Sequence, residues 1–540
     1  MQNSQLNQFA PAETIKQVRQ YFEIIENSVD VGDTNRKYTP SKNAASPGGS
    51  QKENQFLTFN ISPVGENMVD LYNSVIGATM HLTIKNSTAV GANATGFFGN
   101  GPAVWIGFKD SMDAISAYQI FANGRQIYSQ DSAHEESFIT GCGTTEAIKS
   151  VDIFSKARHK DVWKRADTVK SGVIIDMANT SANSIINVDI PIKIDLRRFL
   201  VLDSVRYLPA FAGNMQIKLK FSAEALQVTP LSIEDALSNN PAYLKMLKLC
   251  PAITNKFVPY DSQFTMIVAT AAYSSGTTAA TGTTPENANT TIIDLTAGTQ
   301  QFTKTACTID NAFSYLNCFS LDANTYSELV EHYSQTALMF PIKRMDWMTM
   351  EGSLNRTSGA TSVFTAPYTP LYVNGIYILF KKSSNYFCNY ENPLFETYQL
   401  NCGAYGNIPA EPEPTTGPIF YETCANALNT NNDLIGFNKD VMRSLTATAL
   451  QDTGIVSNDT THFFIGVPTE TDFTFQQGMT SNSPISFKLT VKASAGTNGT
   501  GIEEKPVIGF LRHCCLSIQI APNGPPAVVI DDYDLSSPTE

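Results

Sequence analysis

The sequence predicts an all-β protein built from two successive series of short strands, and three observations carry that expectation. The first is the stretch "NVDIPIKIDL" at 187–196. It sets Val188, Ile190, Ile192 and Ile194 on one parity and Asn187, Asp189, Pro191, Lys193 and Asp195 on the other. Successive strand side chains point to opposite faces, so this is a strand with one apolar and one wetted face. "MQIKLKF" at 215–221 and "ISFKLTV" at 485–491 alternate in the same way. The second observation is that Thr, Asn, Ser and Ala crowd the stretches between apolar runs, which favours short strands and polar loops over helices. The third is order. "VDIPIKIDLRRFLVLD…MQIKLKFSA" and "HFFIGVPTETDFTF…ISFKLTVKA" each run strand, polar stretch, strict alternator, near the end of their own series. Identity between the halves is low, so the duplication is one of pattern.

Element by element, residues 1–53 read as an arm with one short amphipathic helix, Ile15, Val18, Tyr21, Phe22 and Ile25 falling at helical spacing. The arm carries six Lys/Arg and six Asp/Glu, so it is no polybasic tail. A terminal arm of this kind docks beyond its own domain or stays loose. The first strand unit is expected over 54–230. It opens with "QFLTFNIS", "ATMHLTIKN" and "AVWIGF", then carries Asn123-Gly124 between two apolar runs. Asn-Gly tolerates the positive φ angles of a two-residue hairpin turn. Residues 133–170 look partly helical. The stretch 231–255, with helix starts at Ser232 and at Asn240 before Pro241, is expected to connect the two units. The second unit is expected over 256–522, with a polar Thr/Ala/Gly loop at 272–300 and a helix in "TYSELVEHYSQTALMF". "LYVNGIYILFKKSS" at 371–384 is apolar enough to be buried on both faces. "PVIGFLRHCCLSIQI" is the last strand, and 523–540 is expected to be a tail.

Composition excludes several functions. The 540 residues, 42% hydrophobic, suffice for two to four domains. Net charge is −13, from 37 Lys+Arg against 50 Asp+Glu, and does not supply the phosphate neutralisation that drives nucleic-acid binding. The one basic cluster, "KARHKDVWKR" at 156–165, reads as a solvated loop or a subunit contact. No apolar run approaches bilayer length, and the N-terminus lacks the pattern of a secretory signal. Nine scattered cysteines without a CxxC pair are expected to be reduced and partly buried, in a chain made in the cytosol. Sequons such as Asn86-Ser87-Thr88 and Asn498-Gly499-Thr500 are then accidents of composition.

Nucleotide-binding, nucleophile-elbow and zinc-protease motifs are absent. His134 beside Glu135 lacks the spaced second ligand a metal needs. Cys142, between glycines, has no partner His that spacing singles out, and His513-Cys514-Cys515 lies on a strand that turns the two thiols apart. Trp105, Trp163 and Trp347 are too few for a sugar-stacking cleft, though two carboxylates brought together in space would revive a glycosidase. No catalytic, cofactor-binding or metal-binding residue is assigned, and no enzymatic activity or cofactor is expected. What remains is a building block whose function is its surface.

In layout the chain resembles the major capsid proteins of double jelly-roll DNA viruses, those of virophages, polinton-like viruses and adintoviruses. The resemblance covers about 54–522 and rests on the order of short phrases. "YQIFANGRQIYSQDSAHEESF" matches a strand–NG–strand hairpin with a helical excursion, and "VDIPIKIDLRRFLVLDSVRYLPAFAGNMQIKLKFS" closes the first barrel. "NGIYILFKKSSNYFCNYENPLFETYQL" and "SPISFKLTVKA" belong to the second. The motif "GGxxQLVxxGxQDxYLTG" of giant-virus capsid proteins is absent. The resemblance implies two eight-stranded jelly-roll β-sandwich barrels side by side, with an N-terminal helical arm and short connecting helices. It implies a homotrimer forming a pseudo-hexameric capsomer that tiles an icosahedral virion shell assembled inside the host cell. Neighbouring capsomers, minor or penton capsid proteins and an internal membrane are the implied partners, with no specific nucleic acid. Loops at 84–102 and 272–300 would cap the outer surface. The rival roles are a minor, vertex or fibre protein, and a β-sandwich carbohydrate-binding protein or glycosidase.

Overall fold

Four of the five sheets among the described residues form two barrels of the same design; the fifth pairs Ala103–Gly107 with Gly172–Asp176 and with Gln227–Leu231. The computed structural model describes residues 39–64, 67–86, 103–108, 110–142, 172–176, 185–231, 264–266, 300–355, 359–381, 395–403, 406–414, 418–427, 463–469, 483–491, 503–520 and 526–532, with single positions including Tyr21, Glu23, Ile25, Tyr390, Met479 and Ser481. The first barrel uses β1 (Thr39–Ala44), β2 (Phe56–Asn60), β3 (Met68–Asn86), β4 (Ile115–Ala122), β5 (Arg125–Gln130), β6 (Ile185–Asp195), β7 (Met215–Phe221) and β8 (Gln300–Phe319). Its sheets run β1-β8-β3-β6 and β2-β7-β4-β5. The second uses β9 (Leu338–Thr349), β10 (Thr361–Thr365), β11 (Gly375–Leu379), β12 (Phe395–Asn401), β13 (Asn407–Pro414), β14 (Ile465–Pro468), β15 (Ser486–Val491) and β16 (Val507–Gln519). Its sheets run β9-β16-β11-β14 and β10-β15-β12-β13. Eight positions later in strand order, every pairing repeats. This is the jelly-roll plan, made twice.

Local chemistry explains the elements. β6 and β7 bury the alternating sets read from the sequence, β7 with buried and half-buried residues in strict turn. Asn123 and Gly124 both take positive φ, 51° and 80°, and close the β4–β5 hairpin in two residues. Each fifth strand is followed by a helix: α1 (Ala133–Cys142) after β5 and α3 (Pro418–Ala427) after β13. Between the barrels lies α2 (Ala323–Gln335), whose Asp322 carboxylate caps the N–H groups of Asn324 and Thr325 at 3.1 and 3.3 Å.

Four expectations about boundaries are corrected. β8 falls inside 256–522, yet it pairs with β3 from Phe302 to Phe319 and completes the first barrel. The polar insertion between β7 and β8 is long enough to mimic a domain boundary; its stretch 232–255 lies outside the described residues, and the observed link between barrels is α2. Residues 39–53 are no arm, because β1 pairs along the edge of β8 and Gln51 and Lys52 pair with it too. Tyr21 and Ile25 are buried one helical turn apart, with Glu23 exposed between them, so the helical part of the arm docks on its own chain. The expected tail contains β17 (Ala527–Asp532), which pairs with β16 from Cys514 to Gln519.

The two hydrophobic cores exchange residues. Leu338, Phe340, Ile342, Cys514, Leu516 and Ile518, from the second barrel's strands, belong to the first core. Phe138, Ile139 and Leu200, from the first barrel, belong to the second. β11 is buried at all five positions, as its composition predicts. Its outer face is covered by α3 of its own barrel, the Tyr377 hydroxyl donating to the Ala427 carbonyl, and next to it Phe138 of the first barrel packs on Phe464.

Candidate inter-barrel junction

The densest cluster of buried charge in the described residues lies where α1 sits between the barrels. Its sequence, "AHEESFITGC", puts two carboxylates in the first helical turn, where the helix dipole favours them, and an aromatic in the second turn. One side of α1 is polar and faces its own barrel. His134 Nε2 lies 3.1 Å from the Asp113 carbonyl, and the Ser137 hydroxyl donates to Asp113 Oδ1 at 3.3 Å. Beneath them Asp110 accepts from the Met112 N–H at 2.9 Å and pairs with Arg198 at 2.8 Å, both side chains buried.

Glu136 is the centre of a network that crosses to the second barrel. It accepts from the Tyr118 hydroxyl, from the Tyr128 hydroxyl at 2.8 Å and from Gln130 Nε2 at 2.8 Å. Gln130 Nε2 also reaches the Met345 carbonyl on β9 at 2.9 Å, and the Met345 N–H donates to the Tyr128 hydroxyl at 3.3 Å. The other side of α1 is the clasp. Glu135 makes an ion pair with Lys381, just beyond β11. Phe138 packs on Tyr390 at 4.4 Å between centroids, the rings tilted by 46°, and meets Phe464 edge-on at 6.1 Å.

Further ties flank the clasp. The Asn123 amide donates to the carbonyls of Ala212 and Pro526 at 3.1 and 3.0 Å, and Arg125 Nη1 donates to the Val528 carbonyl at 2.8 Å. Gly213, at φ 87°, leaves room for that amide: a Cβ there would lie 2.1 Å from Asn123 Oδ1. Lys343 pairs with Asp203 at 3.3 Å. Tyr21 lies edge-on to Tyr333 and Phe340, each at 5.9 Å, so the arm touches α2 and β9 as well as the first barrel.

The two neighbouring glutamates sit in opposed environments. Burial pushes the Glu136 carboxyl above its ordinary value, with the four donors around it, including the Leu200 backbone, pulling the other way. Burial also acts on Glu135, but Lys381, with help from His134, holds it below the ordinary value. The signs follow from proton linkage. The Glu135 contribution is full above the unfolded value of about 4.3 and fades as pH falls below it. Glu136 favours the folded state most at low pH, and this is lost as pH rises above about 4.3. In urea melts between pH 3 and 7, the stability of wild type minus Glu135→Gln is therefore expected to grow with pH. That of wild type minus Glu136→Gln is expected to shrink. Parallel curves would remove this account of the cluster.

Among the described residues, those weighed for catalysis share no centre. Glu135 serves the clasp, and His134 holds α1 to its own barrel through the Asp113 carbonyl. The side chain of Cys142 and the cluster 156–165 lie outside the described residues, as do the side chains of Trp105 and Trp163. Cys514 and Cys515 are both buried and unoxidised, like Cys307, Cys318, Cys402 and Cys424. Burial pushes the Cys402 and Cys424 thiols up to about 11 and 12, far from thiolate chemistry at neutral pH. His513 is pushed down to about 3 by burial and by Lys343. Among the described residues no group of three or more His, Cys, Asp and Glu converges for a metal, and no helix is long and apolar enough to cross a membrane. Sequence reading missed Glu136 and Arg198. Their only local signal was a charge close to apolar residues, Glu136 before Phe138 and Ile139, and Arg198 before Phe199 and Leu200.

No protein-family model matches the chain. No curated protein matches it in sequence. Among solved structures it is similar to the mavirus major capsid protein, at a TM-score of 0.51 and 10% identity over 93% of each chain. A chain of the Sputnik virophage structure determined by cryo-EM gives 0.48 and 10% identity, over 93% of this chain and 89% of that one. The mavirus likeness establishes the fold, two jelly rolls in one chain, and agrees with the strand-by-strand repeat.

Proposed function

We propose that this chain is the major capsid protein of a DNA virus, a structural component of the virion. Three copies close into a pseudo-hexameric capsomer, and capsomers tile an icosahedral shell assembled inside the host cell. The observation that carries the reading is the pair of equivalently wired barrels held in one unit by a buried, charged junction. A threefold ring of such chains presents six near-equivalent barrels, the shape that fills a hexagonal lattice. A vertex or fibre role would need only one barrel and leaves the duplication without a purpose. Neighbouring capsomers, minor or penton proteins and an underlying membrane are the partners this role entails. The fold itself says nothing against enzymatic activity, but the buried, structural use of His134, Glu135 and Glu136 gives a hydrolase reading no foothold. Negative-stain images of the purified protein test the proposal. Particles with hexagonal outlines and six lobes are expected; two-lobed single chains at every concentration would reject it.

A further inference from the structure

The clasp that joins the barrels within one chain has a counterpart left open on the surface. α1 follows the fifth strand of the first barrel and presents an acid and an apolar residue three positions apart, Glu135 and Phe138. They meet Lys381 at the end of the third strand of the second barrel and Phe464 at the start of its sixth. α3 follows the fifth strand of the second barrel. It buries Phe420, Cys424 and Ala427 against its own barrel and leaves Ile419 and Glu422, again three positions apart, exposed. Ile419 is 54% exposed.

The matching acceptor exists on the first barrel. Lys85 is at the end of its third strand and Ile185 at the start of its sixth, directly paired across β3 and β6 on the outward face. Ile185 is 64% exposed and Lys85 is exposed as well. Within one chain, cation and apolar residue at this place in the second barrel are covered by α1; in the first barrel they are covered by none of the described residues. The order of acid and apolar residue along the helix is reversed between α1 and α3, so the two contacts share chemistry and location, not atom-for-atom geometry.

We infer that α3 of one copy docks on the Lys85–Ile185 corner of the next, Ile419 against Ile185 and Glu422 against Lys85. The inference rests on the proposed capsomer and names its contact. The contact is head-to-tail, as a closed ring of three requires. It places an ion pair beside an apolar pair at a desolvated interface, where charge matching fixes register.

The test is sedimentation of the full chain over a dilution series, with three variants. Ile419→Asp is expected to raise the concentration at half-dissociation by about 10- to 100-fold, as expected for losing one buried aliphatic contact. Glu422→Lys, which sets two ammonium groups together, is expected to do likewise, and Glu422→Lys with Lys85→Glu is expected to restore the wild-type curve. All three sites are exposed, so circular dichroism and urea midpoints should match wild type. A wild-type trimer that Ile419→Asp and Glu422→Lys leave intact would overturn this contact while leaving the capsomer standing. Loss that the double charge reversal fails to restore would overturn the Lys85 pairing. A wild type that is monomeric throughout would remove the capsomer, and this contact with it.

Discussion

Phe138→Ala is expected to destabilise the chain by about 3–5 kcal/mol, the range for emptying a fully buried aromatic site. The magnitude follows from where the ring sits. Phe138 is wholly buried, belongs to the second core although its helix is in the first barrel, and packs on Tyr390 and Phe464. Its cavity would open between two barrels, where neither core can collapse to fill it. Phe56, at 39% exposure on β2, is the control, and its replacement by alanine should cost well under half as much. Urea unfolding of both variants measures the difference. Equal effects at the two sites would mean that α1 does not lock the barrels together.

Arg198→Met carries the second large effect, again about 3–5 kcal/mol, because it strands the buried Asp110 carboxylate without its cation. The methionine fills the volume, so the penalty is electrostatic. Asp110→Asn added to Arg198→Met removes the stranded charge while keeping an acceptor for the Met112 N–H, and should recover most of the loss. A single variant within about 1 kcal/mol of wild type would show that water reaches the pair and screens it.

Much of the fold was legible because strands advertise themselves by parity. β6, β7 and β15 were read within a residue or two, and Asn123-Gly124 gave the hairpin turn outright. The duplicated order of a sixth strand followed by a strictly alternating seventh is now explained: these are β6 and β7 in one barrel and β14 and β15 in the other. The same logic should have demanded an eighth strand in the first barrel, as "PVIGFLRHCCLSIQI" supplies it in the second. That strand, β8, follows a long polar insertion, and proximity in sequence assigned it to the wrong barrel. β1 was missed for a different reason. "TPSKNA" carries no apolar alternation, because at the sheet edge it is held by backbone pairing to β8.

The junction was less legible. His134 and Glu135 drew notice as metal or catalytic candidates, the usual suspicion for charged residues beside each other, yet Glu135 joins the barrels and His134 seats α1 on its own. Which carboxylate meets Lys381 and which is buried against Arg198 depends on contacts 246 and 88 residues apart along the chain. No local pattern encodes such distances.

The central claim is that these two barrels form one third of a closed ring. Light scattering on the purified chain, coupled to size-exclusion chromatography, tests it most directly. The account predicts a mass near three times 58.9 kDa, held on dilution into the micromolar range. A stable 58.9 kDa species at every concentration would contradict it.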